Sequence, residues 1–88
     1  MDHAKLIDQI IDRYPDERLI IADGFDEAVI GFDSKDMRVV YSVTKCISIL
    51  CEEMDEPDAV EYFNYNVVDA YVGERTPIFI EDDFDGLI

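Results

Sequence analysis

Nucleophilic catalysis needs a nucleophile with a base within hydrogen-bond reach, and this sequence offers few of either. Its one histidine is His3, near the N-terminus, which reads as solvated surface. Cys46 and Cys51 lie five positions apart in a helical pattern. On a helix that spacing points them about 140° apart, which suits neither a disulfide nor a shared metal site. Lys45 is the only positive charge close to them in sequence, too little to activate a thiol. Both are therefore expected to be small core residues. The four glycines are scattered, so there is no phosphate loop, and no Cys/His cluster suits zinc. No catalytic residue, no metal site and no cofactor is expected.

Carboxylates are the one abundant functional group: 22 acids stand against 7 bases, a formal net charge of −15 over 88 residues. Paired Asp and Glu can do acid–base work or hold Mg²⁺ or Ca²⁺. Glu81-Asp82-Asp83-Phe84-Asp85-Gly86 places acids before a glycine like the start of a calcium loop, but the sequence reaches Ile88 without the closing bidentate Glu. Weak, nonspecific cation binding is the expectation there. Asp23, Asp26 and Glu27 sit beside a turn, where Asp23 is expected to stabilise the turn and the others to be solvated.

The charge itself says more about partners than about catalysis. It disfavours direct binding to nucleic acid or an anionic membrane, which recruit Lys and Arg, and it favours a basic protein surface. Adaptation to high salt is a bland alternative that an Ile-rich, Ala-poor composition disfavours. The charge is also uneven. Residues 1–45 hold ten acids and six bases, whereas residues 46–88 hold twelve acids and the single base Arg75. The densest group is Glu52, Glu53, Asp55, Glu56, Asp58 and Glu61, followed by Tyr62 and Tyr65. These eight form the candidate partner-binding set, since tyrosine is favoured at interfaces. The competing readings are a solvated helix connection for the acids and ordinary packing for the tyrosines. Asn64 and Asn66, poor helix formers in mid-helix, ask for a reason such as a hydrogen bond to the Gly73–Thr76 loop.

The elements that must position these groups follow from periodicity. Leu6, Ile7, Ile10, Ile11 and Tyr14 recur at helical spacing before Pro15, predicting a short amphipathic helix. Leu19-Ile20-Ile21-Ala22 is a possible buried strand closed by an Asp23-Gly24 turn. Ala28 to Phe32 and Met37 to Ser42 are the clearest strands, joined across Asp33-Ser34-Lys35-Asp36, and Gly31 marks a possible bulge. Val43, Cys46, Ile47, Leu50 and Met54 form a helical stripe with Ser42 or Thr44 as N-cap. A third helix, with Asp55 or Glu56 near its N-cap and Pro57 at about its first position, buries Ala59, Val60, Phe63, Val67 and Ala70 or Tyr71 and stops at Gly73. Ile78-Phe79-Ile80 reads as a last strand. The expected fold class is α+β in the order α-(β)-β-β-α-α-β, a small antiparallel sheet of three or four strands with about three helices on one face. Residues 1–80 would form one domain and 81–88 an acidic C-terminal tail. With five Phe and five Tyr the chain has enough apolar bulk to fold alone.

Two segments carry a resemblance. Ala22-Asp23-Gly24-Phe25-Asp26-Glu27-Ala28-Val29-Ile30-Gly31 resembles the front motif of small acidic proteins of tailed bacteriophages and prokaryotic genomes. Asn66 to Phe79, containing Ala70-Tyr71-Val72-Gly73-Glu74-Arg75-Thr76-Pro77-Ile78-Phe79, resembles their rear motif, with Asp69 where a small residue is expected. The resemblance implies a phage-type origin and a shared fold, and it assigns no activity.

Three functions are ranked from these readings. The first is a non-enzymatic acidic interaction protein that occupies a basic nucleic-acid-binding surface of a partner, as a nucleic-acid mimic in the manner of anti-restriction or anti-CRISPR inhibitors. The second is a homo-oligomeric structural or regulatory module whose acidity serves solubility. The third is a carboxylate-based, divalent-metal-dependent enzyme. The lack of a signal-peptide pattern or long apolar run, with two unpaired cysteines, predicts the cytoplasm of a prokaryotic host cell.

Overall fold

The structure is a computed structural model that describes residues 5–68, 70 and 72–83. Three α-helices, α1 (Leu6–Arg13), α2 (Val43–Leu50) and α3 (Glu56–Phe63), accompany three strands, β1 (Val29–Asp33), β2 (Arg38–Ser42) and β3 (Ile78–Ile80). The class is α+β, as the periodicity predicts.

β1 and β2 form an antiparallel hairpin in which Phe32 faces Val39 and Asp33 faces Arg38. The register slips between Val29 and Gly31, so Ile30 is the extra residue of a bulge at the place where the glycine suggests one. Asp33 pairs in the ladder and also closes the turn, its Oδ1 accepting the Lys35 and Asp36 N–H groups at 3.0 and 3.4 Å. Met37 completes the turn with φ of 59°, a left-handed conformation carried by a non-glycine residue.

The sheet departs from the purely antiparallel expectation. β3 lies parallel to β2, with Val40, Tyr41 and Ser42 beside Ile78, Phe79 and Ile80, so the sheet is mixed in the order β1-β2-β3. The two helices between β2 and β3 supply the crossover that a parallel pair requires. This direction runs the chain after β3 alongside the start of α2.

Period-2 alternation puts Val39 and Tyr41 of the central strand on one face, and both are fully buried. They join Ile7 and Ile10 of α1, Cys46 of α2 and Phe63 of α3 in one cluster, so all three helices meet this face. Rings bind the layers together: Tyr41 stacks on Phe79 at 5.3 Å, Phe63 meets Phe79 edge-on at 5.5 Å, and Tyr14 leans on Phe32 at 4.8 Å.

Three further expectations change. Leu19–Ala22 lies in no strand; it runs past the core, and the Ala22 N–H donates to the Tyr41 hydroxyl at 2.8 Å. The third helix is α-helical only to Phe63 and then widens into a π turn, Asn64–Val68. Its expected stripe is interrupted: Ala59 and Phe63 are buried and Val67 half-buried, but Val60 and Ala70 are exposed, and Tyr71 lies outside the described residues. Gly73, with φ of 121°, therefore caps no α-helix. It opens the turn to Thr76, whose Oγ1 donates to the Gly73 carbonyl at 2.6 Å and accepts the Val72 N–H at 2.9 Å.

Candidate functional site

Ser42 caps α2 by accepting the Lys45 N–H at 3.1 Å. The helix ends at Leu50, and the chain reverses through Cys51–Met54 into Asp55, the N-cap residue of α3. Glu52, Glu53, Asp55, Glu56, Asp58 and Glu61 are all exposed. Among the described residues none of their carboxylates makes an ion pair or hydrogen bond; the ion pair found joins Arg75 to Glu17 at 3.0 Å.

Helix electrostatics divide this group. Glu56 and Asp58 occupy the first turn of α3, where the positive end of the helix dipole favours them. Glu52 and Glu53 directly follow the last turn of α2, which holds no basic residue, so they face the negative end. Their amides still turn into the helix, bonding the Ile49 and Leu50 carbonyls at 3.2 and 3.0 Å. The first pair has a structural use; the second is placed against one.

The structure gathers half of the candidate set into one concavity. Asp58, Glu61, Tyr62 and Tyr65 line an open groove of about 500 Å³ with Met54 and Asn66. Glu56 instead borders a separate cavity of about 300 Å³ whose other side carries Asp83, so the second acidic stretch approaches the first. Glu52, Glu53 and Asp55 stand on the turn between. The π turn shapes the groove: it carries Tyr65, 72% exposed, outward, and Asn66 donates from Nδ2 to the Tyr62 carbonyl at 3.2 Å. That bond, within its own helical segment, replaces the expected one to the Gly73–Thr76 loop.

A feature that the residue patterns do not disclose adjoins this groove. Tyr62 and Asn66 also line a second groove of about 260 Å³, whose far wall is the Ile20–Asp23 segment and whose floor includes Val67 and Phe79. Residues 20–23 thus lie across it from residues of the 66–79 stretch. The apolar run Leu19–Ala22 is visible in sequence, but its neighbour is not.

The two thiols differ in access. Cys46 is fully buried, and burial, with the Asp82 charge adding to it, pushes its thiol up to about 12. Cys51 is exposed, contrary to the expectation of a core residue, because the helix ends one position earlier and turns it outward. Tyr41 is raised as well, first by burial. Asp82 has a structural partner: its carboxylate accepts the Ser42 hydroxyl at 2.7 Å and the Thr44 N–H at 3.4 Å. These bonds, Ser42 first, hold it below the ordinary carboxylate range. Among the described residues no three His, Cys, Asp or Glu side chains are grouped to hold a metal ion, and no helix is long and apolar enough to cross a membrane. His3 and the end of the calcium-like stretch, Phe84 to Gly86, lie outside the described residues.

Comparison with protein-family models, curated proteins and solved structures finds no match to this chain.

Proposed function

We propose that this chain is a non-enzymatic acidic interaction protein of phage type, acting in the cytoplasm of a prokaryotic host by occupying a basic, nucleic-acid-binding surface of a partner protein. One observation carries the reading. The Glu52 and Glu53 carboxylates, just past the C-terminal end of α2, make no ion pair or hydrogen bond among the described residues and stand where the helix dipole disfavours them. A solvated connection needs polar residues there, and Lys, Ser or Asn would serve it better. Together with Asp55, Glu56, Asp58 and Glu61 they present spaced negative charges on a helix junction, a substitute for a phosphate array. The phage-type origin rests on the two sequence motifs alone.

Affinity capture from host cells, followed by a salt series on the captured complex, tests this. The expected partner is a basic nucleic-acid-binding protein whose affinity for this chain falls steeply as salt rises and whose nucleic acid competes for the same surface. Affinity that stays level across the salt series, or simultaneous binding of nucleic acid, would overturn it.

A further inference from the structure

The Leu19–Ala22 segment is composed like a strand yet lacks a strand's partners. Among the described residues no hydrogen bond is made by the main chain of Leu19, Ile20 or Ile21. The segment is anchored only at its ends. At one end the Arg18 carbonyl accepts from Arg75 at 3.3 Å; at the other, Ala22 binds the Tyr41 hydroxyl and closes the Asp23-Gly24 turn with Phe25. Strand addition works through main-chain groups left unpaired, with main-chain bonds supplying affinity and side-chain pockets specificity, and this segment offers such groups beside an open groove although it belongs to no sheet.

The groove itself specifies the occupant's chemistry. Its apolar wall and floor are Ile21, 38% exposed, with Val67, Phe79 and Val72. Its volume, about 260 Å³, is small for a cofactor and suits a side chain. One rim carries Asp23, and through the shared Tyr62 and Asn66 it opens onto Asp58 and Glu61. No basic residue lines either groove; Arg18 and Arg75 stand beyond Ile20 and Val72 at the far end, with Arg75 already paired to Glu17. A net charge of −15 disfavours a second copy of this chain as the occupant and favours a cationic one. Exposed Tyr62 and Tyr65 rings beside the two acids offer faces on which a guanidinium can lie.

We propose that this groove binds an extended, basic segment of a partner protein. The segment adds as a strand beside Leu19–Ile21, buries an aliphatic side chain against Val67 and Phe79, and sets its Lys or Arg side chains against Asp58 and Glu61. The inference rests on the acidic-interaction reading above and adds where the partner chain enters and what it must contain.

The test uses the full chain, isotope-labelled, with two synthetic peptides of equal charge: one alternating Arg and Val, one alternating Arg and Ser. The Arg–Val peptide is expected to bind about tenfold more tightly, the worth of one buried aliphatic side chain. It should move the amide signals of Ile20, Ile21 and Val67, and slow hydrogen exchange at Ile20 or Ile21. Ile21→Lys should abolish that preference, and Asp58→Asn with Glu61→Gln should weaken both peptides by up to about tenfold. Tyr62→Ser, at a second exposed position, should also reduce it. If the two peptides bind alike and perturb only Glu52 to Glu56, the groove proposal falls while the acidic reading stands. If neither binds, both fall. If Ile20 and Ile21 are already protected in the free protein, through self-association seen by sedimentation, the occupant is a second copy and the proposal falls.

Discussion

The Ser42 hydroxyl donates to the Asp82 carboxylate at 2.7 Å while its oxygen caps the Lys45 N–H at 3.1 Å. One fully buried serine thereby joins the N-terminus of α2 to the segment after β3. Ser42→Ala removes the cap and leaves the Asp82 carboxylate without its shortest partner, and is expected to cost about 1–2 kcal/mol in urea unfolding. Asp82→Asn, which can still accept, should cost less. The sign of the pH effect follows from the lowered Asp82 value. A carboxyl held lower in the folded than in the unfolded chain contributes stability above its ordinary value of 3.8, and that contribution is lost as pH falls through the folded value. The stability gap between the wild type and Asp82→Asn should thus be full at neutral pH and close in acid below 3.8. A gap unchanged in strong acid would contradict the ionised hydrogen bond.

The two thiols should separate cleanly. Cys51 is exposed and Cys46 fully buried with its thiol raised to about 12, so a disulfide reagent at mild alkaline pH should modify one thiol quickly. The second should follow at the rate of unfolding and become fast in denaturant. Because the folded value lies above the ordinary 9.0, this thiol's contribution is complete below 9.0 and lost as pH rises toward 12. Cys46→Ala should flatten that part of the alkaline decline. Two equally fast thiols in the folded protein would refute the packing described for α2.

How much of this was legible in the sequence depends on whether the signal was local. The hairpin, the bulge beside Gly31, a Ser42 or Thr44 cap for α2 and the start of α3 around Pro57 are set by residues within a few positions, and all are readable. The parallel direction of β3 was not, because Ile78-Phe79-Ile80 has the same composition for either direction. Leu19–Ala22 has strand composition, but the neighbours it would pair with are a tertiary matter, and the structure gives it none among the described residues. Asn64 and Asn66, poor helix formers, sit where the α-helix gives way to a π turn, but the sequence pattern carries the helix on to Gly73 and suggests only a hydrogen-bond or binding reason for them. The candidate acids were legible as a run. Their division between favoured and disfavoured helix ends was visible only once Leu50 and Glu56 were fixed as boundaries.

Tyr41 ties the same unpaired segment to the core, through the Ala22 N–H at 2.8 Å. Tyr41→Phe preserves the stack on Phe79 and removes only the acceptor, so about 1–2 kcal/mol of stability should be lost. Hydrogen exchange should accelerate most at Ala22 and its neighbours, with the β1–β2 ladder little changed. A uniform acceleration would mean instead that the hydroxyl supports the whole sheet.

The acids at the helix junction make the most discriminating case, because stability and binding should respond to them in opposite directions. Glu52 and Glu53 oppose the dipole at the end of α2, so Glu52→Gln and Glu53→Gln should each raise stability by about 0.3–1 kcal/mol at low salt. Glu56→Gln and Asp58→Asn, in the first turn of α3, should lower it by a similar amount despite removing the same charge. Added salt should shrink both effects, since each is an exposed charge acting over a short distance. All four changes should weaken a basic partner, since each removes a negative charge from the presented face. Gains in stability paired with losses in binding at Glu52 and Glu53 would show residues kept against the interest of the fold. If binding were untouched by either substitution, the junction would be a solvated connection, and its two misplaced glutamates would lose the reason offered for them.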